Sequence, residues 1–174
     1  MYDKAEQSIK AERKIMNILY GAIFVLSIAI DQISKLWAVR VLKNSSDIKL
    51  IGDFLGLSYV ENRGAAFGIL QNQIWFFVVI TVVMLAILGY VLFKNKNLTN
   101  LSKLSLILIA GGAIGNFIDR VKLRFVVDFI HVRFGRFYDF PVFNVADSLV
   151  VCGTILLIIL IFANKFEKSE NING

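Results

Sequence analysis

The sequence has little of the chemistry that most metal and cofactor sites need. Its 174 residues include one cysteine, Cys152, one histidine, His131, and one proline, Pro141. A disulfide framework needs paired cysteines, and zinc sites and covalent haem attachment draw on several Cys and His side chains, so all three are excluded. Any metal ion would have oxygen ligands alone.

Charged side chains are also scarce. They make up 18% of the residues while 57% are hydrophobic, and the mean hydropathy is +0.68, which is typical of an integral membrane protein. The net charge of +6 lies mainly in short segments beside apolar runs, where it suits anionic lipid headgroups better than nucleic acid. The first apolar run lacks the small-residue cleavage site of a secretory signal, so we expect it to be retained.

Uncharged apolar stretches predict four transmembrane helices, over residues 15–30, 74–93, 104–118 and 148–163. A span takes about 20 residues, so three of these must be completed by neighbours with polar side chains, and ionisable groups should lie at membrane depth. The predicted fold class is an all-α membrane protein with four transmembrane helices. We expect a single domain over 15–163, between a charged cytoplasmic segment at 1–14 and a polar cytoplasmic tail at 164–174.

Four antiparallel spans bring these polar extensions to one face. That long-loop face carries the connections 38–73 and 119–147, whereas the opposite, short-loop face carries the termini and residues 94–103. Lys and Arg are denser on the short-loop face. The positive-inside rule therefore predicts that both termini are cytoplasmic and that the functional face is extracytoplasmic.

The long connections contain apolar patterns that are too short for spans. Residues 48–60 predict a small β element, and alternating apolar residues over 123–134 predict short strands. Aromatic and arginine residues over 133–138 predict an interfacial arm in the headgroup layer. Either the β element or the arm could clamp over a bound ligand.

Four aspartates lie at or inside the membrane boundary on the long-loop face: Asp31, Asp119, Asp128 and Asp147. A carboxylate at membrane depth is costly in free energy, so each of these residues should have a structural or functional role. Asp128 lies between apolar neighbours, so burial should raise its pKa and favour the protonated form that a general acid needs. Asp128 and Asp147 are able to meet, since the segment joining them starts and ends at one face, and two close carboxylates would share a proton as in aspartyl proteases. Asp147 could equally be a helix cap.

The other charged residues have structural interpretations too. Asp31 and Lys35 have the i, i+4 spacing of a helical ion pair, which is the favoured interpretation. Asp119 and Arg120 could also pair, or Arg120 could reach a ligand. Residue chemistry alone leaves a hydrolase and a small transporter or channel about equally open, because ion pathways also use intramembrane carboxylates. A non-catalytic scaffold held by ion pairs is a third possibility. A site built on the lone His131 is disfavoured, since a single loop histidine is more often incidental.

Five motifs, in order along the chain, resemble the lipoprotein signal peptidase family, which is bacterial signal peptidase II. They are Asp31-Gln-Ile-Ser-Lys35, Glu61-Asn62-Arg63-Gly64-Ala65-Ala66-Phe67-Gly68, Gly115-Asn116-Phe-Ile-Asp119-Arg120, Val126-Val127-Asp128-Phe129 and Phe143-Asn144-Val-Ala146-Asp147-Ser148. The resemblance covers the chain from the first span to the fourth.

The resemblance implies a metal-independent aspartic endopeptidase of the bacterial cytoplasmic (inner) membrane, with no cofactor. Its substrates would be prolipoproteins whose lipobox cysteine already carries diacylglycerol, and its partners these substrates and membrane lipids, with no nucleic acid. The family's catalytic dyad falls on Asp128 and Asp147. We expect a monomer, since four helices and an isolated site do not require a dimer. The other matching residues are the supporting Asn116, Arg120 and Asn144 and the site-shaping Asp31, Lys35, Asn62 and Gly64.

A stripe of small residues in the third span leaves two interpretations open. Residues 111–113 and Gly115 could pack against the helix of a signal peptide, or they could serve packing among the protein's own helices.

Overall fold

The computed structural model describes residues 2–64 and 69–168. The end of the second motif, residues 65–68, and the end of the tail lie outside the described residues. In chain order the elements are α1 (Tyr2–Val41), β1 (Ile48–Ile51), β2 (Leu55–Asn62), α2 (Ile74–Lys94), α3 (Asn100–Leu123), β3 (Val126–Phe134), β4 (Tyr138–Asp139) and α4 (Val145–Phe162).

Four helices in the described ranges are long and apolar enough to cross a membrane: Lys10–Val41 within α1, and α2, α3 and α4. The predicted fold class is thereby confirmed. The first helix begins earlier than its apolar run, because the charged segment before it consists largely of good helix formers and simply continues the helix. α3 extends beyond its apolar run at both ends, from a cap on Thr99 to a left-handed Arg124 (φ 68°).

α3 is the central helix and packs against α1, α2 and α4. Its glycines make this possible. A β-carbon added to Gly115 would overlap the carboxylate of Asp31 on α1, and one added to Gly112 would overlap the carbonyl oxygen of Ala146 on α4. The glycines of the small-residue stripe therefore serve packing among the protein's own helices, which is the second of the two interpretations.

A four-stranded antiparallel sheet with the order β1-β2-β3-β4 lies on the long-loop face. β1 and β2 confirm the predicted β element. β3 is one continuous strand rather than several short ones, because the irregularity in pairing falls on β2, between Leu57 and Val60. The ring of Phe137 in the following turn is 98% exposed, as expected for an interfacial arm.

The beginning of the tail is part of the packed structure on the short-loop face. The carbonyl oxygen of Phe166 accepts from the Thr99 backbone N–H (3.2 Å) and from Ser102 Oγ (2.7 Å). The Phe166 side chain packs against a core that includes Leu98 and Leu106. The α2–α3 connection and residues 165–168 therefore close this face together.

Candidate active site

Asp147 is positioned by the start of α4. Asn144 is the N-cap, and the two residues form a capping box, in which Asn144 Oδ1 accepts from the Asp147 backbone N–H (2.9 Å) and the Asn144 N–H donates to Asp147 Oδ2 (3.2 Å). Asp147 thus has a capping role, as one interpretation of the sequence held, but at the third helical position. The other carboxylate oxygen of Asp147, Oδ1, takes no part in the capping box and accepts a hydrogen bond from Asn116 Nδ2 at 2.7 Å.

Asp128 lies in β3 and is 1% exposed. Each of its carboxylate oxygens accepts from an amide: Oδ1 from Asn144 Nδ2 (2.6 Å) and Oδ2 from Asn62 Nδ2 (2.9 Å). Burial first, and the neighbouring negative charge of Asp147 second, raise the pKa of Asp128 to about 7, against the opposing effect of the two amides. The raised pKa predicted from its apolar neighbours is confirmed.

Two asparagines connect the carboxylates. Asn144 Nδ2 donates to Asn116 Oδ1 (3.1 Å) as well as to Asp128, and Asn116 Nδ2 donates to Asp147. The chain of contacts Asp128–Asn144–Asn116–Asp147 therefore runs without interruption between a strand and two helices. The two aspartates that the sequence allowed to meet do lie at one site.

Lys35 supports this amide chain from behind and is 3% exposed. Its ammonium contacts Asn116 Oδ1 (2.8 Å), Asp31 Oδ2 (3.0 Å) and Asp119 Oδ2 (3.0 Å), so each of its three N–H bonds has an acceptor. The predicted pair between Asp31 and Lys35 is confirmed. Asp119 pairs with Lys35 rather than with Arg120.

The two acidic partners of Lys35 reach the backbone beside each candidate catalytic residue. Asp31 Oδ1 accepts from the N–H of Ala146, the residue before Asp147, at 2.9 Å. Asp119 Oδ2 accepts from the N–H of Val127, the residue before Asp128, at 3.1 Å. The buried cluster around Lys35 thus fixes both main-chain segments that carry Asp128 and Asp147.

Gln32 is a member of this cluster that sequence reasoning missed. Its Nε2 atom donates to Asp31 Oδ2 (3.2 Å), Asp119 Oδ1 (3.0 Å) and the Gly115 carbonyl (3.2 Å). An uncharged amide costs less free energy at membrane depth than a carboxylate does, so its position inside the first motif was the stronger signal.

A cavity of about 580 Å³ opens between α2 and α4. Its remaining walls come from α3, including Arg120, from the end of β2 and the start of β3, and from residues 140–143 after β4. Both aspartates line it, together with Asn62, Gly64 and Asn116, whereas Asn144, Asp31 and Lys35 lie behind the wall. The cavity is mostly apolar and has its polar groups at one end, which suits a peptide with an apolar segment.

The remaining predicted residues shape this cavity. The Arg120 guanidinium lies over the ring of Phe77 on α2, 5.0 Å from its centroid. The Gly64 N–H donates to Asn62 Oδ1 (3.0 Å), and a β-carbon on Gly64 would lie 2.6 Å from the Ile69 carbonyl oxygen. Only glycine fits there, and it orients the asparagine that contacts Asp128.

His131 is a buried strand residue rather than an incidental loop residue. It contacts Ser58 Oγ through Nδ1 (3.1 Å) and Asp139 through Nε2, linking β2, β3 and β4. It does not line the cavity. In the described part of the chain, no group of three or more His, Cys, Asp or Glu side chains could hold a metal ion.

Comparison with known proteins gives concordant matches. The family model described as signal peptidase (SPase) II matches residues 23–163. A lipoprotein signal peptidase of Clostridium tetani (strain Massachusetts / E88) is 51% identical over 150 residues, covering 86% of this chain and 96% of that protein. One of Streptococcus pyogenes serotype M5 (strain Manfredo) is 44% identical over 147 residues, covering 84% and 95%.

Two solved structures are also similar. A bacterial membrane enzyme determined by the in meso method at 2.3 Å resolution superposes with a TM-score of 0.79 at 35% identity, covering 90% of this chain and 94% of that one. A second, at 1.9 Å resolution, gives a TM-score of 0.74 at 37% identity, covering 82% and 92%.

Proposed function

Because the chain belongs to the signal peptidase II family, and is thereby an aspartic-type membrane peptidase of lipoprotein processing, we propose that it cleaves diacylglyceryl-modified prolipoproteins before the lipidated cysteine. We assign catalysis to Asp128 and Asp147. The observation that carries the assignment is the amide-linked contact chain between these two carboxylates at the polar end of an apolar cavity.

The chemistry follows from one proton held by the pair. The raised pKa of Asp128, about 7, favours a state at neutral pH in which one carboxyl is neutral and the other is charged. The charged member takes a proton from water as the water oxygen bonds to the scissile carbonyl carbon, while the neutral member hydrogen-bonds the carbonyl oxygen. The carbon–nitrogen bond then breaks, and the proton passes to the leaving amine.

The cavity suits a substrate that stays in the membrane. Its opening between α2 and α4 lets an apolar signal peptide enter sideways, while the diacylglycerol of the cysteine stays among the lipids. Residues 140–143, which follow the interfacial arm, line the cavity, whereas neither the arm itself (133–138) nor residues 48–60 of the β element does, so we assign the clamping role to residues 140–143.

The orientation follows from the distribution of charge. The density of Lys94, Lys96 and Lys103 in and beside the short connection, together with the basic residues before the first span, supports a cytoplasmic short-loop face with both termini in the cytoplasm, which is the orientation we propose. The dyad then faces the outside of the bacterial inner membrane. Because the site lies within residues 15–163 of one chain, we propose a single peptidase domain acting as a monomer.

The test is a mobility-shift cleavage assay on a diacylglyceryl prolipoprotein in detergent with a chelator. Asp128→Asn and Asp147→Asn should each lower cleavage by at least about a thousandfold while remaining folded. Asp53→Asn is the matched control, because Asp53 is an exposed carboxylate paired with Lys49 on the sheet, and it should cleave normally. A parent protein that does not cleave would revive the transporter and scaffold alternatives, and a fully active Asp128→Asn or Asp147→Asn would refute the dyad.

A further inference from the structure

A second cavity, of about 640 Å³, lies on the other side of α2. It is lined only by α1, α2 and α3 and shares no lining residue with the active-site cavity. It arises because α1 and α2 each pack on α3 and leave a groove between them. We call it the α1–α2 groove. The proposed peptidase mechanism makes no use of it.

The length of the α1–α2 groove matches one leaflet of a membrane. On α3 its lining runs from Lys103 to Ile114, which at about 1.5 Å per residue is roughly 16 Å. The hydrocarbon core of a bilayer is about 30 Å thick. A transmembrane helix from a partner would need the full depth, whereas the acyl chain of one lipid needs half of it.

The groove has one cationic end, on the short-loop face, where Lys103, Asn17 and Tyr20 line it. The Tyr20 hydroxyl is engaged, since it donates to the Asn100 carbonyl at 3.4 Å. Lys103 is half-buried, and in the described part of the chain its ammonium has neither an ion pair nor a hydrogen bond. A cation at headgroup depth above an apolar groove complements a phosphate.

The apolar part of the groove is open to a chain-like ligand. A β-carbon added to Gly21 or to Gly89 would meet nothing within 4 Å, although both glycines line the groove. These positions leave a channel beside Phe24 that the protein itself does not fill. We propose that the α1–α2 groove binds an anionic phospholipid, with its phosphate on Lys103 and an acyl chain along Gly21 and Gly89.

The test is native mass spectrometry of the full chain released from detergent, titrated with a phosphatidylglycerol or with a phosphatidylcholine that has the same acyl chains. The parent should bind phosphatidylglycerol about fivefold more tightly, as expected for one lysine near the membrane surface. Lys103→Gln should abolish this preference while retaining the weaker binding. Lys96→Gln is the matched control, because Lys96 is exposed on the same face but does not line the groove, and it should behave as the parent does.

A second variant tests the acyl channel. Because a β-carbon at Gly89 meets open space in the groove, the longer side chain of Gly89→Leu should occupy the groove and lower the binding of both lipids at least fivefold, with prolipoprotein cleavage unchanged. Equal binding of both lipids by the parent, an unaltered preference in Lys103→Gln, or an equal loss in Lys96→Gln would overturn the proposal. Displacement of the lipid by glycerol phosphate would also overturn it, since that outcome would show a site for free phosphate esters rather than for a lipid.

Discussion

Replacing Lys35 by methionine should destabilise the fold strongly. In the described structure, Lys35 is the only cation of a buried cluster that contains two carboxylates. Its ammonium lies 3.0 Å from both Asp31 and Asp119, and all three residues are at most 3% exposed. Methionine matches the length and apolar stem of lysine but removes the charge. Breaking a buried ion pair by removing one partner costs about 3–5 kcal/mol, so we expect a loss in the upper part of that range.

Lys43→Met is the matched control. Lys43 also pairs with a carboxylate, Glu61 at 3.2 Å, but its side chain is 47% exposed, so solvent replaces the lost interaction. The measurement is the unfolding of each variant by sodium dodecyl sulfate in mixed micelles at pH 7. Lys35→Met should unfold at a much lower detergent fraction than the parent, and Lys43→Met close to it. Equal unfolding midpoints for the two variants would refute this account of the buried cluster.

A double variant separates loss of charge from loss of packing. Adding Asp119→Asn to Lys35→Met removes one of the two carboxylates left without a partner. If uncompensated charge is the cause, the double variant should be more stable than Lys35→Met alone, with a coupling of about 1–3 kcal/mol. A double variant whose loss equals the sum of the two single losses would show that packing dominates.

Three further predictions follow from the site and the core. The raised pKa of about 7 keeps Asp128 protonated up to neutral pH, so kcat/KM should fall about tenfold per pH unit above roughly pH 7 as that proton is lost. A pH profile of kcat/KM that is flat from pH 6 to 9 would contradict this prediction. Gly115→Ala drives a β-carbon into a buried carboxylate and should lower the free energy of unfolding by about 1–3 kcal/mol in the same denaturation assay. Gly89→Ala has open space around the new β-carbon and should be neutral or stabilising by up to about 1 kcal/mol. Phe166→Ala should lower the free energy of unfolding by about 2 kcal/mol, which is about half the loss for a fully buried phenylalanine. Phe162 is 85% exposed, so Phe162→Ala should leave the free energy of unfolding unchanged. Equal unfolding of the two variants would contradict the packing of the tail.

The helices were predictable from hydropathy because the membrane imposes a length on apolar runs. Their polar ends were not. α1 extends into a charged segment whose residues favour helix without an apolar pattern, and α3 runs on to Leu123, where Arg124 in a left-handed conformation ends it. Local propensity and a single backbone angle decide such boundaries, and hydropathy reports neither.

The contacts of the site were partly predictable. The spacing of Asp31 and Lys35 sufficed for their ion pair, since both lie on one helix. The partner of Asp119 depends on how α1 and α3 pack, and the sequence suggested Arg120 where the fold selects Lys35. Gln32 was missed for the same reason, because tertiary packing alone brings it to the carboxylate of Asp119 and the carbonyl of Gly115.

The contacts of His131 could not be predicted from the sequence either. Its surroundings, Ser58 on β2 and Asp139 on β4, come from strand register, and pairing across a sheet cannot be deduced from one strand. The Asn144–Asp147 capping box was in reach, because asparagine followed three residues later by an acidic residue marks a helix start. The sequence did not show that this capping box, besides beginning α4, orients the carboxylate of Asp147, a candidate catalytic residue; that became visible only in three dimensions.

The most direct test of the central claim is whether Asp128 and Asp147 act as one unit. The measurement is kcat/KM on a diacylglyceryl prolipoprotein for Asp128→Asn, Asp147→Asn and the double variant, each shown to be folded. Residues that share one catalytic proton lose activity together, so the double variant should be no worse than the more impaired single variant. Losses that multiply in the double variant would show two independent contributions and would contradict the dyad.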